Sequence, residues 1–254
     1  MAIVSKCNEP HKVIDLDVCF NVTDYSPEIT SLYDSMFNAY DEAKEIHDEW
    51  EKIYIGNMDF SRLDGYCKEI IEKLVTTQSE EGTGKTYKRF FGTLTVEGPV
   101  NYIDNITENL NKRYFIKGRP GTGKSTFLKK LSGALKENGF DVEEYYCSFD
   151  KKSFDMVVSR ELSFCVFDST APHEKFPERE SDEILDFYTA AGLSGVDERF
   201  EKELFFVKSA YDNRIREGTD SFKLAWKLKE NTDKQALARV TESEIRKIAK
   251  NIFD

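Results

Sequence analysis

The chain has 254 residues, 39% of them hydrophobic and 13% aromatic, enough for one sizeable core with a helical appendage. A formal net charge of -11 argues against nucleic acid as the main ligand, because gripping a phosphate backbone relies on lysine and arginine. Five cysteines without a C-x-x-C pair suit reduced thiols, and with neither a leader-like start nor an apolar run of roughly 18 residues the expectation is a cytoplasmic protein with no membrane segment.

In chain order, Val13, Ile14, Leu16, Val18, Phe20 and Val22 interleave with Asp15, Asp17, Cys19 and Asn21, the alternation of a half-buried strand. Ser26-Pro27-Glu28 then offers an N-cap, a proline for the first helical position and an acid in the first turn. Ile29, Leu32, Tyr33, Met36, Phe37, Tyr40, Ala43, Ile46, Trp50 and Ile53 keep helical spacing beyond it. A second helix is expected from about Phe60 to Leu74, pairing with the first as a hairpin. Residues 76–87 are polar, contain glycine and lack apolar periodicity, so they read as a mobile linker and the main boundary.

Beyond the boundary, Phe90 to Val96 reads as a strand, Pro99 to Leu110 as a helix and Lys112 to Lys117 as a strand. The helix that follows the next glycine-rich stretch stops at Asn138-Gly139, and Asp141 to Cys147 is another strand. Ser148 to Arg160 reads as a looser segment before the apolar strand Leu162 to Asp168. Strands alternating with helices on this scale predict an α/β fold with a doubly wound parallel sheet. Mostly helices are expected from Asp182 onward, the last opened by the capping box Thr241-Glu242-Ser243-Glu244 ahead of Ile245, Ile248 and Ile252.

Two short strings share one pattern: "GTGKT" at 82–86 and "GTGKS" at 121–125. A P-loop needs G-x-x-x-x-G-K-[ST] between a buried strand and a helix, so that successive amides meet phosphate oxygens at the helix N-terminus. The second string meets that requirement: Tyr114-Phe115-Ile116-Lys117 leads into Gly118-Arg119-Pro120-Gly121-Thr122-Gly123-Lys124-Ser125-Thr126, and Phe127, Leu128, Leu131 and Leu135 stripe the helix beyond. The first has Ser79 where the leading glycine should stand, after the polar Gln78 and before the acids Glu80 and Glu81, so it is set aside. Residues 118–126 are therefore expected to bind a nucleoside triphosphate, with Lys124 on the phosphates and the Ser125 hydroxyl on Mg2+.

Asp168 ends an apolar strand, where a Walker-B aspartate would hold the same magnesium; the alternative is an aspartate capping the next turn. Neither an Asn-Lys-x-Asp guanine reader nor a glycine of the switch type after Asp168 is present, which favours ATP. Ser169 stands where motor-type ATPases carry a glutamate, so hydrolysis needs another helper. In the loop that follows, His173 is a candidate base or phosphate ligand, Glu174 a second titratable group, and Arg179 a charge clamp on the γ-phosphate, against the alternative of a charged surface loop. Asp150 and Asp155 read as solvated, with substrate contact as the alternative, and Leu193-Ser194-Gly195 lacks the rest of a transporter-ATPase signature.

The stretches "YFIKGRPGTGKSTFLKKL", "VEEYYCSFDKKSFDMVV" and "FCVFDSTAPHEKFPER" resemble a largely uncharacterised family of bacterial P-loop ATPases, nucleotide-kinase-like, with two tandem P-loop halves. The resemblance covers about Phe90 to Tyr211, and "FDSTAPHE" with "SFDMVV" carries it more specifically than the loop does. "EAKEIHDEWEKIYIGNMDF" is similar to the helical end of a first half, and "EPHKVID" echoes Pro172-His173. The resemblance implies the tail of one half over 1–87, with its strand and helical hairpin, joined to a P-loop NTPase domain with a C-terminal helical arm over 88–254. The single P-loop leaves no place for two cooperating sites in one chain, and the family's glycine at Ser181 is missing.

The leading expectation is a Mg-dependent ATPase. One alternative is a kinase passing the γ-phosphate to a small-molecule acceptor held by His173, Glu174, Arg179 or Asp150. Another is a binding module of negligible turnover whose nucleotide switches the helical arms toward a protein partner or a second copy.

Overall fold

The structure is a computed structural model that describes residues 26–79, 82–147, 153–172 and 174–237, with Ser243 and Arg246. The strand expected at 13–22, the "EPHKVID" stretch, Asp150 and His173 lie outside the described residues, as does the expected last helix apart from Ser243 and Arg246. The first elements are α1 (Pro27–Ile55), α2 (Phe60–Leu74), β1 (Thr86–Arg89), β2 (Gly92–Thr95), β3 (Gly98–Asn101), α3 (Ile103–Thr107) and β4 (Lys112–Lys117). They are followed by α4 (Lys124–Glu137), β5 (Val142–Tyr146), β6 (Phe154–Ser159), β7 (Phe164–Asp168), β8 (Glu183–Asp186), α5 (Phe187–Ala190), α6 (Val196–Arg199) and α7 (Glu201–Leu237).

Residues 46–208 form one compact unit, and the described residues 26–45 and 209–237 belong to a second, so the division falls within α1 and α7. In the first unit six strands lie in the order β1-β5-β6-β7-β4-β8. The sheet is mixed rather than wholly parallel: β1 with β5, β7 with β4 and β4 with β8 run parallel, while β6 is antiparallel to both its neighbours. Connection length explains the departure. Only residues 160–163 separate β6 from β7, and a parallel neighbour needs a crossover of roughly a dozen residues or more. The segment read as loose is thus in part a central strand, every residue of it buried, and Asp155 sits inside it rather than in a solvated loop.

Two further expectations change for local reasons. The strand expected at 90–96 and the helix expected at 99–110 become the hairpin β2–β3 followed by the single turn of α3. Val96 and Glu97 form its two-residue turn, Gly98 takes φ 112°, and Thr95 Oγ1 donates to Gly98 O at 2.8 Å while accepting from Glu97 N at 3.2 Å. The linker is tied down in its described part. Ser79 N donates to Asn138 O at 2.8 Å and Gly84 N to Lys136 O at 3.0 Å, and Lys85 N donates to Asp141 Oδ1 at 2.7 Å. A Cβ at Gly84 would stand 1.9 Å from Phe140 O, so only glycine permits that approach.

The helices follow the capping logic. Ser26 Oγ accepts from Ile29 N at 3.4 Å at the start of α1, and Asp59 accepts from Arg62 N at 3.0 Å at the start of α2. Leu63, Cys67, Ile70 and Leu74 of α2 are buried, and this helix packs on α4 and α5. Strand β4 alternates between two cores: Tyr114 and Ile116 join Leu128, Leu131 and Leu135 of α4, while Phe115 joins Ile103, Met156 and Phe167 on the other face. The sheet is therefore covered on both sides, which leaves its strand ends as the open surfaces.

In the second unit the two helices run antiparallel. Tyr33 meets Phe222 at 6.4 Å between ring centroids, Tyr40 Oη lies 3.3 Å from Thr219 Oγ1, and Arg214 Nε lies 2.9 Å from Glu42 Oε2. Among the described residues no helix is long and apolar enough to cross a membrane.

Candidate functional site

Strand β4 carries the buried run Tyr114-Phe115-Ile116 between β7 and the edge strand β8, so residues 118–123 emerge at its carboxyl end, one strand in from the edge of the sheet. Register places Ile116 beside Asp168 and Lys117 beside Asp186. Helix α4 begins at Lys124. Gly121 and Gly123 take φ values of 75° and 77°, which a side chain would strain. At Gly118 a Cβ would stand 2.5 Å from Thr122 Oγ1.

The loop closes on one carbonyl. Arg119 O accepts from Thr122 N at 3.2 Å, from Thr122 Oγ1 at 2.7 Å and from Lys124 Nζ at 2.9 Å. Lys124 Nζ also lies 3.6 Å from Asp168 Oδ2, and its side chain is 11% exposed. The other oxygen of Asp168 accepts from Thr170 N at 3.0 Å and from Thr170 Oγ1 at 2.6 Å. Oδ1 thus caps the next turn, and Oδ2 faces the lysine. Ser125 Oγ accepts from Phe154 N at 2.9 Å, while Thr126 faces solvent.

Further contacts fix the loop's flank. Arg119 Nε and Nη2 donate to Asp197 Oδ2 at 2.9 and 2.6 Å, and its guanidinium lies 5.2 Å from the Tyr188 ring centroid. Tyr54 Oη donates to Asp197 Oδ1 at 2.9 Å; burial, and then the neighbouring carboxylate, push this phenol up to about 12. Gly121 N donates to Glu51 Oε1 of α1 at 3.2 Å, and His47 Nδ1 lies 3.8 Å from the same oxygen.

Neither a family model, nor a curated protein, nor a solved structure matches this chain.

Of the residues singled out beyond Asp168, Glu174 lies at the carboxyl end of β4, 3.3 Å from Lys117 Nζ. That ammonium also donates to Ser169 O at 2.7 Å and Lys175 O at 2.8 Å, and it sits 4.2 Å from the Phe176 ring centroid. Ser169 is buried, its Oγ donating to Lys175 O at 2.7 Å, so the loop folds back as a closed turn. Arg179 does not point to the loop at 118–123. Its Nη1 donates to Thr107 O at 3.3 Å and Leu110 O at 3.1 Å, beside the start of β4, a strand's length of about 17–20 Å from Gly118. Asp182 draws this segment there: it receives Arg113 Nε and Nη2 at 2.9 and 2.6 Å and the amides of Glu178 and Arg179 at 2.8 and 3.0 Å.

The arrangement places amides at a helix N-terminus, a sheltered ammonium and two hard oxygen donors at one edge of the sheet. Glu51, Asp197 and the Phe154 amide escaped sequence reading. Each comes from an element 29 to 78 positions away from its partner, and no local motif announces such a pairing.

Proposed function

We propose that residues 118–126 bind magnesium ATP as a P-loop and that the chain turns it over slowly, as an ATPase of the P-loop NTPase type. One observation carries the reading: Lys124 curls over the loop to Arg119 O while facing Asp168 at the end of the adjacent parallel strand. Triphosphate oxygens would replace Arg119 O as partners of that ammonium, and α4 adds its N-terminal amides. Ser125 Oγ, having accepted one bond from Phe154 N, keeps a lone pair for a cation and a proton to donate. That hydroxyl and Asp168 Oδ2 are hard oxygen donors of the kind magnesium prefers and would hold the ion, which would neutralise charge on the β- and γ-phosphates when bound.

Transfer to a small-molecule acceptor is the second reading, and Ser169 favours it. This residue, where a water-orienting acid would stand, is buried and bonded to Lys175, so its own position offers no base for water. The two readings separate by product. Magnesium-dependent phosphate release without an added acceptor supports the ATPase; label appearing only on an added nucleoside or metabolite supports the kinase. Binding itself is tested by titrating a fluorescent ATP analogue with magnesium. Lys124→Ala is expected to weaken it by more than about tenfold, the worth of one charge-assisted contact, and unchanged affinity would remove the loop from the site.

A further inference from the structure

We propose that Glu51 is a built-in occupant of the phosphate site, a carboxylate gate that must leave the loop before a nucleotide's phosphates can enter; this rests on the nucleotide-binding reading of the same loop. Gly121 is an internal glycine of the loop, and in that reading its N–H is one of the amides presented to phosphate. In this structure it donates to Glu51 Oε1 at 3.2 Å. An amide so engaged leaves no space for a phosphate oxygen along its bond, and a carboxylate placed beside a triphosphate is repelled by it. The charge of Glu51 thus stands where the ligand's charge would stand.

The contact is built by backbone proximity as well as by the hydrogen bond. A Cβ at Gly121 would lie 3.0 Å from Glu51 O and 3.0 Å from Ile55 Cγ1, so the last turns of α1 rest directly on the loop. Tyr54 anchors the same turn to Asp197 at 2.9 Å. The Glu51 side chain is 34% exposed, so rotation toward solvent releases the loop without unwinding the helix. His47, one turn earlier, already lies 3.8 Å from the same oxygen.

Glu51→Gln keeps the shape and removes the charge, and Glu51→Ala removes the group. Both are expected to bind the fluorescent ATP analogue with magnesium about tenfold more tightly than the unaltered chain, because the competing charge-assisted hydrogen bond is gone. Glu108→Gln makes the same charge change on an exposed residue beside the start of β4, about a strand's length from Gly118, so it controls for net charge and is expected to move affinity less than about twofold. Binding by the unaltered chain that stays equal or weakens in both Glu51 variants overturns the gate and leaves the nucleotide site standing. An equal gain in Glu108→Gln also overturns it, since the effect would then be general charge. If neither the unaltered chain nor the variants bind, the nucleotide reading falls and the gate with it.

Discussion

Lys124 and Lys85 occupy the same place in two copies of one short string, yet their surroundings differ. Lys124 opens a helix at the carboxyl edge of the sheet, with its ammonium 3.6 Å from Asp168. Lys85 is exposed, at the entry to the edge strand β1, with its backbone N–H on Asp141. Lys85→Ala is therefore expected to leave ATP-analogue affinity within about twofold, against the loss in Lys124→Ala; equal losses in the same titration would defeat the distinction. Arg179 belongs to the frame. Arg179→Ala should lower unfolding free energy by ~1–2 kcal/mol through the lost bonds to Thr107 O and Leu110 O, with affinity unchanged. Turnover lost at unchanged urea stability would return this residue to the phosphates.

Strand β4 and the segment leading into β8 are joined by the pair Arg113–Asp182, whose side chains are 4% and 0% exposed. The Arg113 guanidinium, with the amides of Arg179 and Glu178, holds the Asp182 carboxyl well below the usual carboxylate range. A folded value below the unfolded one stabilises the fold fully above the unfolded value of about 3.9, and that stability drains away as pH falls below it. Asp182→Asn leaves Arg113 buried without its counter-charge and should cost ~3–5 kcal/mol at neutral pH. Urea midpoints at pH 7 and pH 3 check this: the unaltered chain should lose more between the two than the variant does. Equal acid sensitivity would mean that other carboxylates govern it.

Across the whole molecule, the residues of the candidate site all fall within 46–208, whereas Tyr33, Tyr40, Phe222 and Ala225 belong to the other unit. Phe222 is 1% exposed, and Gly218 admits Tyr40, whose Cε1 would lie 2.5 Å from a Cβ there. Phe222→Ala should destabilise the paired helices by ~3–5 kcal/mol, read as faster amide exchange across 209–237, while ATP-analogue affinity stays constant. A parallel loss of affinity would show that the site depends on this packing.

Much of this chain is decided locally. The cap at Ser26-Pro27, the apolar positions Leu63, Ile70 and Leu74, and the order strand, glycine loop, Lys124, helix are legible because each rests on residues a few positions apart. Asp168 was legible for the same reason, as the acid that closes an apolar run. Tertiary structure alone decided that β6 returns antiparallel, that Arg179 faces the start of β4, and that Glu51 rests on Gly121. Strand direction depends on how much chain is left to cross over, and a contact between residues 70 positions apart depends on which elements the fold stacks together; neither is written in a local period.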